Sequence, residues 1–256
     1  MCLISIAYQS HPDYPLLVAA NRDEYHRRPT AGAQFWDDHP QLLAGKDLQA
    51  GGTWIGITRT GRFAAITNHR NPPSTRAQPR SRGFLTLDFL LGGMSAAHYL
   101  ESVAARAGEY AGFNLIVGES GQLWYFSNIE QRVQQLGSGI YSLSNALLDS
   151  AWPKQVLASS EMRKHSQGKI DHPGLQAVVS SRVQVAEHQL PNTGIDLEFE
   201  KLLSAPFIVS PEYGTRATTS LWLDSSGHGD WLESSFDAAG DKVLERRWQF
   251  NPGGHG

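Results

Sequence analysis

The first residue of this chain that could do chemistry is Cys2, which directly follows Met1. The sequence holds 1 Cys, so Cys2 has no intramolecular disulfide partner and is predicted to be a free thiol. Methionine is normally removed before a small residue, and its removal would place a free α-amine beside the thiol. Because that amine has a pKa near ~8, it can serve as the base for its own side chain. The alternative is that Cys2 is a small apolar residue at a strand end.

A second group of candidate residues, Asn21-Arg22-Asp23-Glu24, follows an apolar segment that predicts a strand. Consecutive polar residues at the end of such a strand are unfavourable in a hydrophobic core and are typical of a functional site. A guanidinium and carboxylates in that place can recognise charged groups of a ligand. The alternative is a strand-to-loop exit with a local pair between Arg22 and Asp23.

The elements that must position these residues are predicted mainly as hairpins with helices clustered between them. Strands are predicted over residues 3–8, 16–21, 54–58, 63–68, 114–118, 123–127, 218–223 and 230–233, with an edge strand over 242–250. Helices are predicted over 85–107, interrupted at Gly92-Gly93, over 152–164 and over 174–182, and a long exposed loop over 69–82. This order indicates antiparallel sheets covered by helices rather than alternating βαβ units.

Length and composition restrict the class of protein. The chain has 256 residues, 40% of them hydrophobic, and no linker, which predicts a single domain over residues 1–256. A formal net charge of −3 with scattered acidic residues gives no reason to expect nucleic acid or an anionic membrane as partner. No secretory signal and no transmembrane segment of ~20 apolar residues is recognised, so we expect a cytoplasmic protein. The sequence does not indicate an oligomeric state.

Metal binding is not indicated by the sequence. The chain has 10 histidines, but it has no HExxH motif and no paired cysteines, so no metal site is predicted. His11, His26 and His69 are predicted at strand ends or in loops near the site. We interpret them as solvated loop residues, although a single accessible histidine could ligate iron weakly. No motif requires a cofactor.

A glycine turn is predicted to complete the surroundings of Cys2. Gly51-Gly52-Thr53 precedes a strand and lacks the lysine and helix of a phosphate-binding loop. It is therefore predicted to bring backbone, with Thr53 and Trp54, close to the cysteine. For the tryptophan, packing in the core is the alternative to contact with a ligand.

Several separated motifs together resemble the NRDE family, which also contains the transport and Golgi organization proteins of eukaryotes. The resemblance covers most of the chain. Besides Met1-Cys2 and Asn21-Arg22-Asp23-Glu24, the motifs are Arg28-Pro29, Leu43-Ala44-Gly45-Lys46-Asp47, Gly51-Gly52-Thr53-Trp54-Ile55-Gly56, Ala65-Ile66-Thr67-Asn68, Gly112-Phe113-Asn114-Leu115, Leu143-Ser144-Asn145-Ala146-Leu147-Leu148, Trp152-Pro153-Lys154 and Tyr213-Gly214-Thr215-Arg216.

This family is similar in turn to cysteine N-terminal-nucleophile (Ntn) hydrolases such as penicillin V acylase. The resemblance implies an α+β fold, a four-layer αββα sandwich in which two mostly antiparallel sheets lie between helical layers. It implies Cys2 as the nucleophile and Asp23 as the carboxylate that contacts the nucleophile's amine. It also implies that Asn68 and Asn145 lie near the nucleophile, one of them in an oxyanion hole, and that Arg216 favours the thiolate.

One position departs from the acylase pattern. Those enzymes have an arginine three residues before the matching aspartate, and this chain has Ala20 there. The nearby arginine is Arg22. Because neighbours on a strand point to opposite faces, we expect Arg22 to point away from Cys2 if Asp23 points toward it.

Two functions stay open on this resemblance. The first is binding and intracellular trafficking of haem, or of an acyl or other lipid ligand, which is what the NRDE family is reported to do. The second is an amidohydrolase in which Cys2 attacks a linear amide and forms an acyl-thioester. In the first case no cofactor is required and haem is a ligand. The ligand-binding residues would then be Asn21, Arg22, Glu24, Thr53 and Trp54, with the arginine pairing with a carboxylate or phosphate.

Overall fold

The computed structural model describes residues 2–70, 80–119 and 121–251. Its strands are β1 (Cys2–Tyr8), β2 (Leu16–Tyr25), β3 (Thr30–Phe35), β4 (Leu42–Asp47), β5 (Ile55–Thr58), β6 (Phe63–Asn68), β7 (Phe113–Glu119), β8 (Gln122–Ser127), β9 (Arg132–Leu136), β10 (Gly139–Leu143), β11 (Tyr213–Leu223), β12 (Gly229–Phe236) and β13 (Lys242–Phe250). Its α-helices are α1 (Gly83–Leu91), α2 (Ala96–Ala105), α3 (Pro153–His165), α4 (His172–Ala177) and α5 (Leu197–Leu202).

The strands form two antiparallel sheets. One is six-stranded with the order β10-β1-β2-β11-β12-β13, and the other is seven-stranded with the order β3-β4-β5-β6-β7-β8-β9. The long strand β2 lies between β1 and β11 and pairs with both along most of its length. Strand β1 lies between β10 and β2, and β10 pairs with it from Ile4 onward, so Cys2 and Leu3 are paired with β2.

The two sheets pack face to face, and helices cover both outer faces. Along β1, Ile4 and Ile6 point into the core between the sheets, whereas Leu3 and Ala7 pack beneath α3 and α4. Because both faces of this strand are covered, it is apolar at nearly every position. Helices α1 and α2 cover the seven-stranded sheet in the same way. The predicted four-layer αββα sandwich is confirmed.

Most of the elements predicted from turn residues and helix breakers are present in the structure. The predicted strands over 63–68 and 242–250 coincide with β6 and β13, and β13 is an edge strand as expected. The helix predicted over 85–107 is interrupted as expected, because α1 ends at Leu91 and α2 begins at Ala96. Ser95 caps α2 by accepting the backbone N–H of His98, which fixes where the second helix starts.

Several predicted boundaries were wrong. Strand β2 continues to Tyr25, so the polar motif lies within the strand and not after it, because β11 keeps pairing along it. Helix α4 ends at Ala177, and β3, β4, β9, β10 and α5 were not predicted. Of the predicted loop, residues 71–79 lie outside the described residues. No helix in the described part of the chain is long and apolar enough to cross a membrane.

Candidate functional site

A cavity of about 490 Å³ lies where β1 begins and where β2, β4 and β6 end. The first residues of α1 form a further part of its wall. Seven residues singled out from the sequence line it, namely Cys2, Arg22, Asp23, Glu24, Thr53, Trp54 and Asn68. Residues that are far apart in the sequence therefore meet at one end of the sandwich.

Cys2 opens β1 and is 7% exposed. Its direct partner across the β1–β2 ladder is Arg22, so the two side chains leave the same face of the sheet. This is the inner face, since Ile4 and Ala20, the next pair along it, belong to the core between the sheets. Ser144 donates a hydrogen bond to the carbonyl oxygen of Cys2 at 3.0 Å and fixes the strand end. Burial raises the pKa of the Cys2 thiol.

Arg22 lies against the ring of Trp54 and is 5% exposed. Its guanidinium carbon is 4.3 Å from the ring centroid, a cation–π contact. Its Nη1 atom is buried without a hydrogen-bond acceptor, and no carboxylate of the described residues forms an ion pair with it. The guanidinium of Arg22 is therefore held by stacking on an aromatic ring.

Asn21 and Asp23 point to the opposite face of the sheet from Arg22, toward the helical layer. The Asn21 amide donates to the carbonyl oxygens of Val179 at 2.7 Å and Pro206 at 2.9 Å. Its oxygen accepts from Thr218 at 2.6 Å, so the side chain is fully engaged and does not line the cavity. The expectation that Asn21 lies at the ligand-binding rim is corrected by this alternation along β2.

Asp23 lies one residue beyond the ladder partner of Cys2, beside the start of β1. It is 0% exposed, and its Oδ1 accepts a hydrogen bond from Thr215 Oγ1 at 2.7 Å. Tyr213 donates to its backbone oxygen at 3.0 Å. Burial raises the pKa of Asp23, and the charge of Lys154 opposes that rise. The carboxyl thus lies on the helical side of β2 next to the start of β1, while the Cys2 thiol faces the other side of the sheet.

The two predicted asparagines, Asn68 and Asn145, contact each other. Asn145 is 0% exposed, and its Nδ2 donates to the carbonyl oxygen of Asn68 at 2.7 Å. Only Asn68 lines the cavity. Asn145 therefore holds the end of β6 against the segment after β10, and its role in an oxyanion hole stays a prediction.

Arg216 lies at a bulge in β11, between Thr215 and Ala217. Its Nη1 donates to the carbonyl oxygens of Tyr25 and Arg28, each at 3.1 Å. The side chain thus fastens the turn after β2 and does not line the cavity. Direct contact with Cys2 is not formed, because the bulge changes the direction of the strand at this residue.

The cavity wall also carries three arginines that were not among the predicted site residues, namely Arg28, Arg80 and Arg82. Arg28 is paired with Asp47 at 2.8 Å, and Arg80 with Glu109 at 2.8 Å. Arg82 instead donates to the carbonyl oxygen of Gly112 at 2.9 Å, without an ion pair to any described carboxylate. Like Arg22, it is a cation whose charge is not balanced by a direct partner. The start of α1 adds the positive end of a helix dipole to the same wall.

Two sheets covered by helices, with a cysteine at the start of an inner strand, define an Ntn-hydrolase fold. The structure is similar to a Caenorhabditis elegans N-acylethanolamine-hydrolyzing acid amidase ortholog, with a TM-score of 0.50, 10% identity, and coverage of 86% of this chain and 92% of that one. At this identity the likeness shows the fold alone.

The sequence comparison then gives the family. A family profile described as Transport and Golgi organisation 2 matches residues 1–238. A Transport and Golgi organization protein 2 homolog from Bos taurus is 33% identical over 257 residues, covering 92% of this chain and 93% of its own. The Homo sapiens homolog is 33% identical over 258 residues, with 92% and 93% covered. The chain belongs to the Transport and Golgi organisation 2 family, which confirms the resemblance found from its motifs.

Proposed function

We propose that this protein binds an anionic small molecule, of the haem or acyl class, in the cavity beside Cys2. The observation that carries this is the guanidinium of Arg22, which is buried on the cavity wall with Nη1 lacking an acceptor. A buried donor without a partner costs about 1–3 kcal/mol, more when it is charged. A ligand carboxylate or phosphate would remove that cost and form a charge-assisted contact. The family resemblance adds intracellular trafficking of the ligand to the proposal.

Arg82 and the start of α1 support the same ligand charge. Both lie on the cavity wall, where a guanidinium and a helix N-terminus attract an anion. Trp54 supplies a flat apolar surface, but Arg22 already stacks on its ring. The anionic group of the ligand is therefore expected near Arg22, with the rest of the molecule toward the opening.

For haem, the lining favours recognition of the propionates over ligation of the iron. None of the described lining residues is a histidine. His26, which lies near the site, has its Nε2 3.1 Å from the carbonyl oxygen of Ser210. The soft ligand on the wall is the Cys2 thiol, which burial keeps protonated. A carboxylate, from either haem or an acyl compound, is thus the group that the site recognises best.

Isothermal titration calorimetry with dodecanoate, its methyl ester and haemin tests this proposal. Arg22→Met should weaken dodecanoate binding roughly ten- to a hundred-fold, because one charge-assisted contact is lost. The methyl ester should bind weakly to both forms. Arg27→Met is the matched control, since Arg27 is exposed and lies outside the cavity wall. Equal affinity of the parent and Arg22→Met for both anionic ligands would overturn the proposal.

A second candidate function is hydrolysis of a linear amide by Cys2. Its support is the position of Cys2 on the cavity wall, where Asp23 and Asn68 line the same cavity. After removal of Met1, the thiolate would attack the amide carbonyl, and the amine would leave with a proton. Water would then hydrolyse the acyl-thioester to a carboxylic acid and restore the thiol.

Intact mass spectrometry separates the two candidates. If Cys2 is a nucleophile, incubation with p-nitrophenyl acetate should add one acetyl group to the form that lacks Met1, and Cys2→Ala should abolish it. If the protein only binds its ligand, Cys2→Ala should bind dodecanoate as tightly as the parent, since contact and charge set affinity. Absence of acylation in a chain shown by mass to lack Met1 would remove the hydrolase candidate.

A further inference from the structure

A groove of about 310 Å³ lies between α3 and the segment that follows β10. That volume is roughly ten times the share of one water molecule in the liquid, which is room for a small ligand. Asp149 and Ser150 line it on one side, and Gln155, Val156 and Arg163 line it along the helix. This α3 groove shares no wall residue with the cavity beside Cys2, so it is a separate site.

Three wall residues of the α3 groove are fixed to one residue of the edge strand β10, Ser142. Asp149 Oδ1 accepts the Ser142 backbone N–H at 2.7 Å, and Gln155 Nε2 donates to the Ser142 carbonyl oxygen at 2.9 Å. Ser159 Oγ donates to Ser142 Oγ at 2.8 Å. The carboxylate of Asp149 and the amide of Gln155 are therefore held at the same end of the groove by the main chain of a strand.

The Gln155 amide has one acceptor that no donor uses. The residue is 1% exposed, and its Nε2 donates to the carbonyl oxygens of both Ser142 and Leu147, the second at 3.1 Å. Because both partners are acceptors, the nitrogen must face them, and the oxygen takes the other position of the amide. This Oε1 atom is buried and has no hydrogen-bond donor among the described residues. A buried acceptor without a donor is unfavourable, so this end of the groove calls for a donor from a ligand.

Opposite charges lie toward the two ends of the α3 groove. Arg163 follows Gln155 by about two turns of α3, or ~12 Å along the helix axis, and helical side chains lean back toward the N-terminus. Neither Asp149 nor Arg163 takes part in an ion pair with another described residue. Val156, which is 56% exposed, adds an apolar surface to the same wall.

We propose that the α3 groove binds a linear zwitterion, with an ammonium group at one end and a carboxylate at the other, as in an ω-amino acid. The ammonium group donates to Gln155 Oε1 and pairs with Asp149, and the carboxylate pairs with Arg163. The methylene groups between them lie along Val156. A ligand with a single charge satisfies one end alone, so both charges are needed for tight binding. The inference does not depend on the function proposed for the cavity beside Cys2.

Titration of the full chain with 6-aminohexanoate, followed by proton–nitrogen NMR, tests this proposal. Backbone amide shifts report both the affinity and the place of binding, and the saturable shifts should be concentrated in residues 149–163. Hexanoate and hexylamine each carry one of the two charges and should bind in the groove roughly fivefold or more weakly. Hexanoate that enters the cavity beside Cys2 would shift amides around Arg22 instead, which separates the two sites.

Two variants remove one charge each and should leave the fold intact. Arg163→Met changes an exposed residue, and Asp149→Asn keeps an oxygen for the Ser142 N–H. Each should weaken 6-aminohexanoate binding roughly two- to tenfold. Lys164→Met is the matched control, since Lys164 is an exposed cation on the same helix outside the groove. The proposal would be overturned by a lack of saturable shifts in residues 149–163, by equal affinity of hexylamine, or by parent affinity in both variants.

Discussion

Cys2 and Arg22 are direct partners across the β1–β2 ladder, and both side chains enter the space between the sheets. The sequence led us to expect the reverse, with Asp23 on the Cys2 side and Arg22 turned away. The alternation along β2 is as expected, but the register assigns the cavity face to Arg22. A buried guanidinium thus stands beside the thiol and acts on it electrostatically.

The first prediction concerns that electrostatic effect. Arg22→Met should raise the pKa of the Cys2 thiol further above its usual range, because Arg22 opposes the rise that burial causes. The pH midpoint of iodoacetamide alkylation, followed by intact mass, should move upward by about one pH unit or more. The sequence contains a single cysteine, Cys2, so the measured alkylation rate reports on this residue alone. An identical midpoint in parent and variant would contradict the prediction, and Arg27→Met serves as control.

The second prediction concerns the close approach of Gly52 to Gly83 at the cavity wall. A Cβ on Gly52 would lie 2.5 Å from the carbonyl carbon of Gly83 and 2.7 Å from its oxygen. Backbone cannot yield as a flexible side chain does, so Gly52→Ala should lower the free energy of unfolding by about 1–3 kcal/mol. Gly93→Ala is the matched control, since nothing lies within 4 Å of its added Cβ. Urea unfolding that gives equal losses for both variants would argue against a steric cause.

The third prediction concerns the ion pair of Arg70 and Glu200, whose side chains are 6% and 4% exposed. Glu200→Gln removes the charge opposite a buried guanidinium and should cost roughly 3–5 kcal/mol of unfolding free energy. Replacing both residues by methionine should cost less than the single change, because no buried charge is left without its partner. Glu109→Gln tests an exposed pair, with side chains 55% and 47% exposed, and should cost about 0–1 kcal/mol. Urea titrations of the variants give the comparison, and a double variant less stable than Glu200→Gln would be inconsistent with it.

Much of the fold could be predicted because local signals are strong where hairpins form. The segment around Gly61 shows this, since its positive φ of 81° closes the β5–β6 turn that the glycine predicted. Strands β3 and β4 were missed because neither shows a clear alternation of buried and exposed residues.

The site could be predicted only in part, since its geometry depends on register and on bulges. Motifs identified Cys2, Asp23 and Asn68 as neighbours in space, but not which face of β2 lines the cavity. Arg216 was expected near Cys2. A bulge in β11, which the sequence pattern does not predict, directs its side chain to the end of β2, where it contacts the Tyr25 carbonyl oxygen.

The fourth prediction concerns acid stability through Asp230, which is 2% exposed. Arg247 donates to it at 2.6 and 2.9 Å, Gln249 at 2.8 Å, and the ring of His172 lies 2.8 Å away. Burial alone would raise the pKa of Asp230, but these hydrogen bonds outweigh it and lower the pKa from 3.8 to about 2. A carboxyl whose pKa is lower in the folded state than in the unfolded state stabilises the fold at pH values above the unfolded-state pKa. That contribution is lost as the pH falls through the folded-state pKa.

The unfolding free energy of the parent should therefore decrease by about 1–2 kcal/mol through Asp230 as the pH falls from about 4 to about 2. The lower part of that range applies because the Arg247 side chain is 52% exposed, and solvent screens its charge. Asp230→Asn should be less stable at neutral pH and should lack this part of the acid-dependent loss. Asp37→Asn is the control: it changes an exposed carboxyl, and this variant should show the same acid-dependent loss of stability as the parent. Urea unfolding across this pH range measures the slopes, and parallel curves for the parent and Asp230→Asn would contradict the assignment.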